Sequence, residues 1–82
     1  MKLMPGDLVR CNALALKTKL GGIDLFAAAP SVAEPAKVAG WFSSESTAIV
    51  IWTNIDSSIV YLCGPNVLGY TFGALLDKIT KI

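Results

Sequence analysis

The stretch Thr47-Ala48-Ile49-Val50-Ile51-Trp52-Thr53, then Asn54-Ile55-Asp56-Ser57-Ser58, then Ile59-Val60-Tyr61-Leu62-Cys63, decides how the chain is read. Two short apolar runs rich in β-branched and aromatic side chains flank a polar break, the pattern of strand, turn and strand. Neither run alternates cleanly, so both faces of these strands are expected to be covered.

Upstream, Ala36-Lys37-Val38-Ala39-Gly40-Trp41-Phe42 reads as a strand over 36–42, in which Gly40 allows a sharp bend or a close backbone approach. A polar link, Ser43-Ser44-Glu45-Ser46, joins it to the strand at 47–53, and short links predict antiparallel hairpins. Downstream of the strand at 59–63, Gly64-Pro65-Asn66 forms a tight turn into a last strand at 66–70. Phe72, Leu75, Leu76 and Ile79 then fall at i, i+3, i+4 and i+7 and predict a helix over 72–80. Thr71 would cap it, and Asp77 and Lys81 would pair along it.

Near the N-terminus, Pro5-Gly6-Asp7 is a turn that launches a strand over 7–16, although residues 13–16 suit a helix equally. Leu8 and Arg10 would share one face of this strand, Val9 and Cys11 the other. Gly21-Gly22 reads as a loop, and residues 23–29 suit a short helix or a buried strand. Pro30 and Pro35 bracket an excursion that holds no central strand. Five short strands hide their edges by closing into a small, strongly bent barrel, with the C-terminal helix over one open end.

With 82 residues the chain is one domain, and a chain of this size buries only about 60% of the surface its unfolded form exposes. Yet 54% of its residues are apolar and 16% are charged. The apolar runs, such as 48–52 and 59–63, are far shorter than the ~20 residues of a spanning helix. Residues 1–7 lack the apolar segment of a signal peptide, and a cytoplasmic location is expected. Self-association is the remaining outlet for the apolar excess.

Seven basic and six acidic residues give a net charge of +1, without a strong electrostatic footprint for nucleic acid in the total. Cys11 and Cys63 are expected to be reduced, buried thiols, bridged only if neighbouring strands bring them together. The absence of histidine removes the commonest general base and metal ligand, and no zinc site, phosphate loop or nucleophile elbow is present. The acids Asp7, Asp24, Glu34, Glu45 and Asp56 fall in turns, where turn chemistry is the ordinary role of Asp. Cys63 beside Gly64 is a strand-end filler or, less simply, a reactive thiol. No catalytic residue, metal or cofactor is identified, and the chain is not expected to be an enzyme.

Four features could carry binding. Residues 43–46 offer hydroxyls and backbone amides, or are only a solvated loop. The kink at 62–67 exposes backbone donors and the Asn66 amide, or is only a turn. Trp41, Phe42, Trp52, Tyr61, Tyr70 and Phe72 offer stacking faces, with four of the six expected in the core and Tyr61 and Tyr70 expected, ahead of the tryptophans, to reach the surface. Arg10, Lys17 and Lys19 form a small basic cluster that is a solvated face or, repeated around a ring, a phosphate-binding surface.

The block 38–70, with Gly40 in an early strand and Leu62-Cys63-Gly64 closing a later one, resembles the Sm/LSm family, and the Gly6-Asp7-Leu8-Val9 start is similar to that of divergent Sm-like proteins attributed to marine cyanophages. Cys63 stands where the family usually has Arg, the Asp and Asn of the family's RNA-binding loop are missing from 43–46, and the helix is C-terminal instead of N-terminal. The resemblance implies a mainly β fold, a five-stranded SH3/Sm-like barrel, to which the residue spacing adds the C-terminal helix. It also implies a homo-oligomeric ring, here with residues 67–70 of one subunit paired to 59–63 of the next. Such a ring would bind single-stranded RNA or DNA through Ser43, Ser44, Glu45, Cys63, Gly64, Asn66, Arg10 and Lys17. The competing expectation is a phage structural or protein-interaction module that binds no nucleic acid.

Overall fold

The computed structural model of the chain describes residues 2–12, 21–28, 37–65 and 67–82. Seven strands run in the order β1 (Leu8–Cys11), β2 (Gly22–Phe26), β3 (Val38–Ser43), β4 (Thr47–Thr53), β5 (Ile59–Gly64), β6 (Val67–Phe72) and β7 (Ile79–Lys81). They form one antiparallel sheet ordered β3-β2-β6-β5-β4-β1-β7, strongly curled into a half-barrel. The stretch 47–63 folds as its sequence predicts, with β4 pairing β5 from Ile49↔Cys63 to Thr53↔Val60.

The turn between them is closed by its own side chains. The Asn54 side-chain amide donates to Ser58 Oγ (2.9 Å), and Asn54 Oδ1 accepts from the Ile59 amide (3.0 Å). Asp56 Oδ1 accepts from the Ser58 hydroxyl (2.6 Å) and amide (3.0 Å), which holds its carboxyl below the usual range. This is the turn role expected of Asp56.

Alternation decides the core. In β1, Val9 and Cys11 are buried while Leu8 and Arg10 face out, and in β4 Ala48 and Val50 are buried between exposed neighbours. Val60, Leu62, Leu25 and Phe42 complete the inside of the curl. β2 resolves the ambiguity over residues 23–26 in favour of a buried strand, with residues 27–28 beyond its end and residue 29 outside the described residues, and it takes in Gly22, expected in a loop. Gly40 makes the expected close approach: a Cβ there would stand 3.2 Å from the Leu68 carbonyl oxygen. Gly69, at φ +153°, is tighter still, because a Cβ would stand 2.8 Å from that of Leu25. The 13–16 helix alternative and the Pro-bracketed excursion lie outside the described residues.

Several expectations fail for identifiable reasons. Among the described residues the sheet has seven strands instead of five. The link at 43–46 is not a hairpin, because β3 pairs β2 while β4 pairs β1 and β5. The α-helix over 72–80 is a 3-10 helix at Gly73–Lys78 followed by β7. Gly73 sits at φ +62°, in the left-handed region, so an α-helix begun at Phe72 does not continue through it. The apolar spacing that mimicked a helix face serves two elements: Leu75 and Leu76 pack on the core from the 3-10 helix, and Ile79 is buried as a strand residue opposite Cys11. Thr71 is no cap, since it is buried in β6, and Phe72 takes the cap position. Lys81 pairs with Asp7 (3.3 Å) instead of Asp77. The expected pairing of 67–70 with 59–63 of a neighbour is taken within the chain, where β6 pairs β5 from Ile59↔Phe72 to Gly64↔Val67. β4 holds the other side of β5, so among the described residues the open edges of the sheet are β3 and β7.

Two stability measurements follow from this packing. The Thr71 hydroxyl is buried without a hydrogen-bond partner among the described residues, so Thr71→Val should raise the urea midpoint, by about 1 kcal/mol in stability. A lower midpoint would mean that the hydroxyl is satisfied. Asp7 Oδ2 accepts from the Met4 amide (2.9 Å), and with Lys81 this holds the carboxyl below its ordinary 3.8. A lowered folded value contributes stability that is present above 3.8 and lost as pH falls through the folded value. Asp7→Asn should therefore lower stability at neutral pH and reduce its loss on acidification; an unchanged acid profile would show that Asp7 contributes nothing.

Candidate interaction surface

The residues of β4, β5 and β6 include no charged side chain on either face. These are three adjacent strands in the middle of the sheet. An antiparallel sheet with one wet face normally alternates apolar inside with polar outside. Here the outside is apolar as well. Both faces were expected to be covered, yet among the described residues only the inner one is.

Two cross-strand rows build the outer face. In the first, Leu8 of β1 stands opposite Ile49 of β4, Ile49 opposite Cys63 of β5, and Cys63 opposite Leu68 of β6. In the second, Trp52 stands opposite Tyr61, Tyr61 opposite Tyr70, and Tyr70 opposite Phe26 of β2. Residues directly opposite each other share a face, so each row is continuous. The register shift between Val50 and Trp52 leaves Ile51 as an extra residue, and both Ile51 and Trp52 are exposed. Such bulges re-aim side chains. Leu8, Ile49, Ile51, Trp52 and Leu68 keep between 42% and 54% of their surface in solvent.

The aromatic row packs on itself. Tyr61 and Tyr70 have ring centroids 4.4 Å apart, and Trp52 meets Tyr70 edge-on at 6.0 Å. Phe26 and Phe72 lie 5.0 Å apart beside it. This corrects the expectation that four of six aromatics would be core. Phe42 is fully buried, Tyr61, Tyr70 and Phe72 are half-buried, and the two tryptophans are more exposed than the tyrosines. Trp41 lies over Gly22, where a Cβ would come within 2.5 Å of its ring.

The residues singled out for nucleic acid meet in part at one rim. Thr47 is their common neighbour: it pairs with Arg10, and its carbonyl oxygen would stand 2.6 Å from a Cβ on Gly64. Arg10 and Cys63 are exposed there, and Thr47 directly follows the 43–46 link. Three backbone amides of that link are engaged within the chain. The Ser44 amide donates to the Gly21 carbonyl (2.7 Å), the Ser46 amide to the Ser43 carbonyl (3.0 Å), and the Glu45 amide to Ser43 Oγ (3.1 Å). Glu45 is exposed and adds a negative charge to the rim. Asn66, Lys17 and Lys19 lie outside the described residues.

Cys63 is exposed, against the expectation of a buried thiol, because its strand position faces outward. Cys11 is buried, and burial pushes its thiol up. No disulfide joins them, since β1 and β5 flank β4 on opposite sides. A groove of about 410 Å³ at the 3-10 helix is lined by Leu3, Ser57, Gly73, Leu76, Asp77 and Ile79 and presents one charged group. Among the described residues no three of His, Cys, Asp and Glu gather as a metal site, and no helix is long and apolar enough to cross a membrane. Comparison with protein-family models, curated proteins and solved structures finds no match for this chain.

The two faces should respond differently to substitution. Leu62→Ala on the inner face should cost roughly 2–5 kcal/mol in urea unfolding. Ile49→Thr or Leu68→Thr on the outer face, measured in dilute solution, should cost under about 1 kcal/mol. Equal losses on both faces would show that the chain itself buries the outer rows.

Proposed function

We propose that the chain is a small-barrel interaction module whose working surface is the outer face of β1, β4, β5 and β6. The apolar character of that face, uncharged across β4, β5 and β6, is the observation that carries the reading. A contiguous apolar surface on a soluble domain is characteristic of protein contact. The strand run β7-β1-β4-β5-β6, with a 3-10 helix leading into β7, supports reading the five-stranded part as an SH3/Sm-like barrel with the β2–β3 hairpin added. On this reading the chain acts by assembly and performs no chemistry.

Binding of single-stranded nucleic acid is the second reading, favoured by one feature. Trp52, Tyr61 and Tyr70 form a sheet-face platform of the kind on which bases stack. Stacking proteins combine such rings with a positively charged groove. Arg10 is the one cation among the outward residues of β1, β4, β5 and β6, and Lys81 is engaged with Asp7.

Titration of labelled single-stranded RNA and DNA separates the two readings. At about 50 mM salt, no saturable binding is expected at protein concentrations below about 100 µM. Micromolar binding that weakens steeply toward about 200 mM salt, and about tenfold on Tyr61→Ala, would replace the interaction module with the nucleic-acid reading.

A further inference from the structure

We propose that the partner on this surface is a second copy of the same chain, packed outer face to outer face about a two-fold axis near Cys63. The proposal rests on the interaction-module reading and names its partner.

Area is the first argument. Five apolar side chains at about half exposure present on the order of 400 Å² between them, before Cys63, Tyr61 and Tyr70 are added. That lies within the range of the largest patch on an ordinary monomer, about 300–600 Å². A standard interface takes about 800 Å² from each partner, with an apolar core and a polar rim. The two rows are therefore the right size for the core of one such interface. They leave too little for two.

Charge is the second argument. A partner of different sequence is commonly selected and oriented by complementary charge. β4, β5 and β6 offer none to complement. Across these three strands an identical face is met with no electrostatic penalty, the exposed charges of Arg10, Asp24 and Glu45 lie outside them, and a two-fold contact uses the same patch on both copies. With a net charge of +1, long-range repulsion between copies is also small.

Position is the third argument. β5 is the middle strand of the five that carry the two rows, β1, β4, β5, β6 and β2. Cys63 stands on it between Ile49 and Leu68. Cys63 thus lies within the first apolar row, toward the rim end of β5, and its thiol is a native reporter of contact on that row. Cys11 is buried and does not compete for a thiol reagent.

The test combines sedimentation of the full chain at micromolar concentration with the rate of Cys63 alkylation by N-ethylmaleimide. A dimer is expected, with alkylation slowed about tenfold relative to an Ile49→Lys monomer that keeps its circular dichroism. Leu68→Lys serves as a second variant, in case Ile49→Lys does not fold. A dimer that persists in both variants with Cys63 freely reactive would overturn the proposal by placing the contact elsewhere. A monomer with reactive Cys63, whose wild-type form binds the apolar dye ANS and whose Ile49→Lys form does not, would overturn the second copy and leave the interaction-module reading standing. A monomer with unreactive Cys63 would overturn both, because the chain would then close its own outer face.

Discussion

The structure depends on three neighbouring strands that carry no charge. β4, β5 and β6 fill the middle of the sheet, and their inward residues, Val50, Val60 and Leu62, are fully buried. Burial of apolar surface at roughly 25 cal/mol per Å² is the dominant stabilising term for so small a domain, whose surface is large for its volume. The curl concentrates that burial on one side. It also leaves Ile49, Ile51, Trp52 and Leu68 on the other, where water is the poorer solvent. The outer face thus follows from how the core is made.

The edges are treated differently. β7 is three residues long, ends in Lys81, and is pinned to the N-terminal turn through Asp7. Short, charged strands resist further pairing. β3 is longer, exposed at Val38, Ala39 and Trp41, and uncharged. It is the better template for strand addition, but its exposed run ends at Phe42, which turns into the core. The face between the edges offers more apolar area than either edge.

Much of the fold was legible in sequence where the signal was local. β4 begins and ends at the residues where the run 47–53 does, and β1 alternates as Leu8-Val9-Arg10-Cys11 implies. Where the signal was periodic but the backbone had its own demands, the reading failed. The spacing of Phe72, Leu75, Leu76 and Ile79 fits a helix face, yet Gly73 at φ +62° and the free edge of β1 convert it into a 3-10 helix and a strand. The polar link at 43–46 looks like a hairpin loop, but strand order is set by long-range pairing that link length does not encode. The outer rows were missed for a similar reason. The lack of alternation in 47–53 and 59–63 was visible, and it implies two covered faces; that one cover is absent from the described chain becomes visible only when the register aligns Leu8, Ile49, Cys63 and Leu68. The residues expected to bind nucleic acid meet only in part: the rim joins Arg10 and Gly64 through Thr47, while the amides of Ser44, Glu45 and Ser46 are bonded within the chain.

The central claim is that the outer face of β4, β5 and β6 is completed by a second chain. Assembly links folding stability to protein concentration. The most direct measurement is the urea midpoint of the full chain at several concentrations, from about 1 to about 100 µM. The account predicts a midpoint that rises with concentration, and a rise that disappears in Ile49→Lys. A midpoint that stays constant across that range would contradict it.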